Sequence, residues 1–523
     1  MIMIKKEKIK NFLTNKNFII SFICLLIIIL VLGVYFFQKE KFDIVFAFHS
    51  DISGFDTCDK KSTTTSYGDI YFNLVHDKLL ILDEQGNLKP QLLKNYDKQG
   101  VNINCELKDN ILFHNGDKMT ADDVVFTIQR GKTQKHDQFL EIADIQKTGN
   151  LTFKIKLKED ILWWHFPFTQ MIRIINKKAT EKNQSEGVKI GAGPYKLKKY
   201  NPNKDLQLEL FEKYHDKDII KDSPKKIQIK ISKDENTLFQ ELEKKQINAI
   251  LFYSRDKINK LNEDLKKDKY KNIKILENET ASQNYIYFNK QKLTKKVRQI
   301  ISKSLDIQKI IDELKLPGKI AKNSLHNKLI GHNPNINYHN PNIEEAKREF
   351  RTLTESENKT LKIATSLKTP FINKIIEQLE HVGFTIILEE PDFNTIIANA
   401  AQGKNSPYDF IFLSENFEMN FGHKFIEDYF MSNNNECNFC GIDNADKSSI
   451  QDKLEKAKKK TEETEYKSLL FEIEQYLYDN HYLFPLMTGK SFILVNKEIE
   501  KGFEQNAFSR FFNMRSIKIK KDK

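Results

Sequence analysis

The sequence predicts a mixed α/β body carried behind one apolar N-terminal helix, and three observations carry that reading. Its 523 residues are too many for a single hydrophobic core, so two or three folded units are expected. Stretches of alternating apolar and polar residues interleave with stretches at helical spacing along the whole body. Phe18 to Phe37 (FIISFICLLIIILVLGVYFF) is twenty positions long and holds no charge. As a helix it would reach ~30 Å, the thickness of a bilayer's hydrocarbon core.

Lys5, Lys6, Lys8, Lys10 and Lys16 precede that segment, so residues 1–17 are expected to stay in the cytoplasm and the remainder to be exported. A cleaved signal peptide has a shorter apolar core and a small-x-small site, whereas Val34 to Gln38 offers nothing small. Phe22 and Ile23 before Cys24 are equally unlike a lipid-attachment site. Residues 18–37 are therefore predicted as a transmembrane anchor or an uncleaved signal, with the body on the outer face of the cytoplasmic membrane.

The net charge of +12 comes from 84 Lys and Arg against 72 Asp and Glu. Lysines alternate with acids throughout, as in ELEKKQ at 241–246, and no basic block sits beside stacking aromatics. The pattern describes a solvated surface and excludes a nucleic-acid partner.

Export places Cys58, Cys105, Cys437 and Cys440 in an oxidising space. Cys437-Asn-Phe-Cys440 fits a redox pair, half of a zinc site or a tight disulfide. The structural disulfide is the expectation adopted, with Cys58–Cys105 as its companion.

Lys41 to Phe48 alternates like a strand, and Leu79 to Leu82 is an apolar segment that ends in a turn at 83–87. Val101–Leu107 and Leu151–Leu157 read as half-buried strands. Thr120 and Asp123 make a capping box for a helix burying Val124, Val125 and Ile128. Val297, Ile300, Ile301 and Leu305 follow helical spacing, and Asp306 caps the next helix. One long helix is expected between Glu455 and Tyr478, with Leu469, Leu470, Ile473 and Leu477 inside.

Catalytic motifs are missing. Gly131-Lys132-Thr133 and Gly489-Lys490-Ser491 lack the upstream glycine of a phosphate loop, for Phe126 and Phe484 stand there. No G-x-S-x-G elbow, H-E-x-x-H pair or calcium loop occurs. Neither a metal site nor a cofactor is predicted. His114 is read as a turn histidine bonded to backbone, and Trp163 and Trp164 as core or lobe-interface residues. An exported, catalytically silent α/β body suggests capture of a solute.

Phe113-His-Asn-Gly116 followed by Met119-Thr-Ala-Asp-Asp-Val-Val-Phe126 resembles the signature of the family 5 extracellular solute-binding proteins, the peptide and nickel receptors of ABC importers. Further landmarks follow in that family's order: Leu82 to Pro90, Gly191-Ala-Gly-Pro-Tyr195, Asn284 to Asn289, Val297-Arg298-Gln299 with Asp306, and Tyr408-Asp409. The resemblance covers about residues 42 to 510. Most of these residues shape turns. Asn115-Gly116 favours a positive φ, and Gly193-Pro194 joins a residue tolerant of unusual angles to one with fixed φ.

The resemblance implies a two-lobed periplasmic-binding-protein fold with an extra subdomain. Residues 42–66, 190–278 and 488–523 would build lobe I, 67–189 its extra subdomain, and 279–487 lobe II. Ligand would lie between hinged lobes. In peptide-binding relatives an aspartate of "G-W-x-x-D" receives the ligand's α-ammonium. Counting from Tyr408-Asp409 puts Glu418 at that position and Glu415 where the tryptophan usually stands. Lys368, ahead of Thr369-Pro370-Phe371, is the nearest match to a ligand-carboxylate residue. The expected function is capture of oligopeptides by a monomer that delivers them to the permease subunits of an ABC importer. Two alternatives stand beside it. One is the same fold binding a nickel chelate or haem, with His326 or His332 turned into the cleft. The other is an exported enzyme or redox protein using Cys437 and Cys440.

Overall fold

The computed structural model describes residues 41–63, 66–83, 86–136, 139–251, 255–267, 270–355, 357–366, 369–417, 421–431, 438–503 and 514–520. The N-terminal apolar segment at 18–37 lies outside them. Among the described residues no helix is long and apolar enough to cross a membrane.

A ten-stranded mixed sheet organises the unit from Ile44 onward. From one edge to the other its strands are Thr385–Glu389, Thr360–Ala364, Phe410–Asn416, Ile273–Phe288, Leu483–Asn496, Ala249–Ile250, Ile44–Phe48, Lys226–Ile231, Asp205–Leu210 and Tyr195–Asn201. Parallel pairs lie toward both ends, where Ile44–Phe48 meets Lys226–Ile231 and Thr360–Ala364 meets Thr385–Glu389.

The two central strands are long and antiparallel, and their register shifts between Glu279 and Gln283. On one side of the shift Ile273, Phe492 and Leu494 pack with Ala47, Leu238 and Ile250. On the other, Tyr285 to Phe288 and Leu483 to Leu486 enter a larger core with Val297, Ile301, Leu379 and Leu470. The same pair of strands thus passes from one core to another.

A third core lies under a separate four-stranded antiparallel sheet of Leu93–Gln99, Asn102–Leu107, Thr152–Leu157 and Ile142–Lys147. The helix Ala121–Thr133 contributes Val124 and Ile128 to this core. Its capping box has the predicted form, with the Asp123 carboxylate accepting from the Thr120 backbone N–H at 2.9 Å. Asp306 likewise caps Ile307–Glu313 by accepting from the Lys309 N–H at 3.0 Å.

The Phe113–Gly116 turn is tied to the Gly191–Pro194 segment. His114 donates its backbone N–H to the Gly191 carbonyl at 2.9 Å, and its Nε2 lies 3.0 Å from the Gly193 carbonyl oxygen. Gly116 has the expected positive φ of 90°. Gly193 is glycine for a different reason than angle: a Cβ there would stand 2.6 Å from the Leu74 carbonyl oxygen. Close backbone approach, not a positive φ, fixes it.

Two expectations are corrected. The region from 455 to 478 is two helices, Asn444–Lys458 and Glu463–Asn480, because the charged Lys459 to Glu462 stretch forms the C-cap of one and the N-cap of the next. Cys58 and Cys105 are free, buried thiols with no bridge between them. The Cys58 sulfur faces the Thr127 carbonyl at 3.6 Å, and Cys105 lies 3.9 Å from the Ile103 carbonyl on its own strand. Burial pushes both thiols up to about 12.

Candidate ligand-binding cavity

A cavity of about 730 Å³ opens between two sets of residues far apart in sequence. One set comes from residues between Lys60 and Met171 and includes Lys60, Thr63, His136, Trp163 and Phe166. The other is drawn from Glu415 to Phe417 and from Phe421 to Tyr429, with Lys458 beyond it. The volume falls within the ~300–1,000 Å³ usual for small-ligand sites.

Aromatic rings dominate the second wall. Phe421–Tyr429 reads FGHKFIEDY, and its aromatic rings at helical spacing both pack on the core and line the cavity. Trp163 lies over His423 with ring centroids 3.9 Å apart and an interplanar angle of 32°. It joins the large core while lining the cavity, in keeping with its reading as a core residue. Trp164 packs against both the large core and the third core, with Tyr96 and Phe168 as ring neighbours.

Charge enters this wall in an ordered way. Lys424 pairs with Asp428 at 2.5 Å, and Lys458 pairs with Glu427 at 2.6 Å. His423 is 3 % exposed, and its Nδ1 lies 2.9 Å from the Tyr466 hydroxyl. Burial, then Lys458 and Lys424, hold its pKa down to about 3. Glu415 is buried, with Oε1 accepting from the Tyr287 hydroxyl at 3.3 Å and Oε2 from that of Tyr429. Desolvation pushes its carboxyl up to about 7 despite those two donors.

The Phe410–Asn416 strand offers a further element. On one side it pairs with Ser282–Phe288 over its whole length. On the other, only Phe410 and Ile411 pair with Ile363 and Ala364. From Phe412 onward that edge has no strand partner among the described residues, and Glu415 and Asn416 at its end line the cavity.

Of the expected ligand residues, Glu415 is in the cavity, whereas Glu418 and Lys368 lie outside the described residues. His326 and His332 do not line it: the His326 Nδ1 accepts from the Lys328 N–H at 3.1 Å. Cys440 is a free, buried thiol donating to the Tyr482 carbonyl at 3.1 Å, and its expected partner Cys437 lies outside the described residues. Burial raises the Cys440 pKa, opposite to what a reactive thiol needs. Tyr287, Tyr429, Phe421 and His423 were not anticipated. The dense aromatics of 421–430 were the available signal.

The landmark residues serve the scaffold. Arg298 donates to the His481 and Asn480 carbonyls at 2.9 and 2.8 Å, fixing its helix to the end of Glu463–Asn480. Asp409 accepts from the Lys362 N–H at 2.7 Å, joining neighbouring strands.

The model of the bacterial extracellular solute-binding proteins, family 5 (Middle), matches residues 87–436, well over half of the chain. The chain belongs to this family. It is 26 % identical over 314 residues to the nickel-binding protein NikA of Staphylococcus aureus, covering 58 % of this chain and 61 % of that protein. To the oligopeptide-binding protein AppA of Bacillus subtilis it is 26 % identical over 265 residues, 46 % of each. The matches thus span about half to three-fifths of these curated relatives. The fold of this family 5 member is shared with the ABC transporter substrate-binding protein CtaP of Listeria monocytogenes. There the TM-score is 0.77 at 19 % identity, covering 91 % of this chain and 99 % of CtaP.

Proposed function

We propose that this family 5 protein captures short peptides outside the cytoplasmic membrane and hands them, unaltered, to the permease subunits of an ABC-type importer. The observation that carries the reading is the strand edge from Phe412 to Asn416, which has no strand partner among the described residues and whose last two residues line an aromatic cavity. An extended peptide can pair its backbone with such an edge and leave its side chains to the walls. Broad selectivity follows, because backbone pairing ignores sequence. The similarity to a protein named for oligopeptide binding agrees with it.

In this reading residues 42–66, 190–278 and 488–523 act as lobe I, 67–189 as its extra subdomain and 279–487 as lobe II. The register shift at Glu279–Gln283 in the paired central strands is the hinge, since a bulged ladder bends more readily than a regular one. Residues 18–37 tether the chain to the membrane, and the protein works as a monomer.

A nickel chelate is the second reading, favoured by the similarity to a protein named for nickel binding and by His136 and His423 in the cavity wall. Native mass spectrometry of the full-length protein as isolated separates the two. The peptide reading predicts a ladder of adducts with masses of two to four residues. A single adduct carrying a metal isotope pattern selects the chelate.

A further inference from the structure

Glu415 differs from every other acid in the cavity wall around it. Asp428 and Glu427 neutralise Lys424 and Lys458, the two lysines of that wall. Glu141 and Lys60 belong to the opposite wall, where the His136 Nε2 lies 2.9 Å from the Thr63 hydroxyl. No lysine or arginine pairs with Glu415 among the described residues, and the one charged group that acts on it is Asp428, which raises its pKa further. On the neighbouring strand it meets only the hydroxyl of Tyr287, and on the Glu427–Met431 turn only that of Tyr429. A buried carboxylate without a cation is costly. Phe417, Phe425 and Tyr429 line the space with it. Aromatic faces favour a positive group carried on an apolar stem.

We propose that Glu415 selects ligands bearing a basic side chain, a lysine ammonium or an arginine guanidinium, which enters along the aromatic wall and bonds to its carboxylate. The inference rests on the peptide reading and names the class of peptide. Two tyrosine hydroxyls hold the carboxyl in either protonation state, because a hydroxyl can donate or turn to accept. The cation favours the ionised form. Binding near neutral pH therefore releases a proton, and affinity rises with pH until the free protein's carboxyl is already ionised.

The test is calorimetric titration of the full-length protein in mild detergent with Ala-Lys-Ala, Ala-Arg-Ala, Ala-norleucine-Ala and N-acetyl-Ala-Lys-Ala, at pH 6 and pH 8. At pH 8 the lysine and arginine peptides should bind roughly tenfold or more tighter than the norleucine peptide. Acetylation should leave that preference intact, pH 6 should shrink it, and Glu415→Gln should abolish it. In buffers of different ionisation heat at pH 7, wild type should release about half a proton per Ala-Lys-Ala bound. That measurement stands even if the variant fails to fold.

Equal affinity for the lysine and norleucine peptides would overturn the proposal, as would a preference that Glu415→Gln retains. Should no tripeptide bind at millimolar concentration, the peptide reading fails separately. L-arginine amide then decides the cation: raising the melting temperature of wild type but not of Glu415→Gln supports it, and no difference refutes it.

Discussion

Glu415 and Glu474 are the same residue in nearly the same burial, and burial pushes both carboxyls up to about 7. Their partners differ. Glu474 sits on the Glu463–Asn480 helix and accepts from the Leu325 N–H at 2.7 Å, the Ser324 hydroxyl at 2.9 Å and the Asn333 N–H. Two of those donors are backbone groups, which cannot reverse. Glu415 meets two hydroxyls, which can. One acid clamps the 324–333 loop to a helix, and the other is left free to change protonation at a cavity wall. Rotatable partners, not burial, separate a structural acid from one suited to a ligand.

The largest effect expected is at the clamp. Glu474→Gln turns an amide N–H toward a backbone donor and should destabilise the fold by about 3–5 kcal/mol, read by chemical denaturation at pH 7. Glu415→Gln in the same assay should be neutral or stabilising. The reverse ranking would break the comparison.

A pH series sharpens it. Glu415 titrates near 7 in the fold against an ordinary value of 4.5. The raised folded value favours the protonated fold, so its contribution is whole below 4.5 and is lost as pH rises through about 7. Wild type without ligand should lose on the order of 3 kcal/mol by this route. Urea midpoints of Glu415→Gln minus wild type should therefore coincide near pH 4.5 and diverge in the variant's favour up to pH 8.

The smallest change is Tyr429→Phe. Removing one donor should cost about 1 kcal/mol and move the Glu415 transition to higher pH in the same series. A transition that stays in place would mean that the hydroxyl does not hold the acid.

Local chemistry made much of the fold legible. The Thr120–Asp123 box and the Asp306 cap are settled within three residues, and both stand where the sequence places them. The break at Lys459–Glu462 was hidden because charged residues suit a helix surface as well as a helix end. Gly193 could be read as a turn residue, but the Leu74 carbonyl that excludes a side chain there is over a hundred positions away. The site was less legible for the same reason. Position relative to Tyr408-Asp409 brought Glu415 into view, yet its character depends on Tyr287, 128 residues earlier, and on a turn whose aromatics read as ordinary core.

The central claim is that a solute pairs with the Phe412–Asn416 edge, which has no strand partner among the described residues and reaches the cavity at Glu415 and Asn416. Hydrogen–deuterium exchange of the full-length protein, with and without saturating Ala-Lys-Ala, addresses it most directly. The account predicts that amides of residues 412–416 on the open side slow markedly when peptide is present. Exchange there that is unchanged while the peptide is demonstrably bound would contradict it.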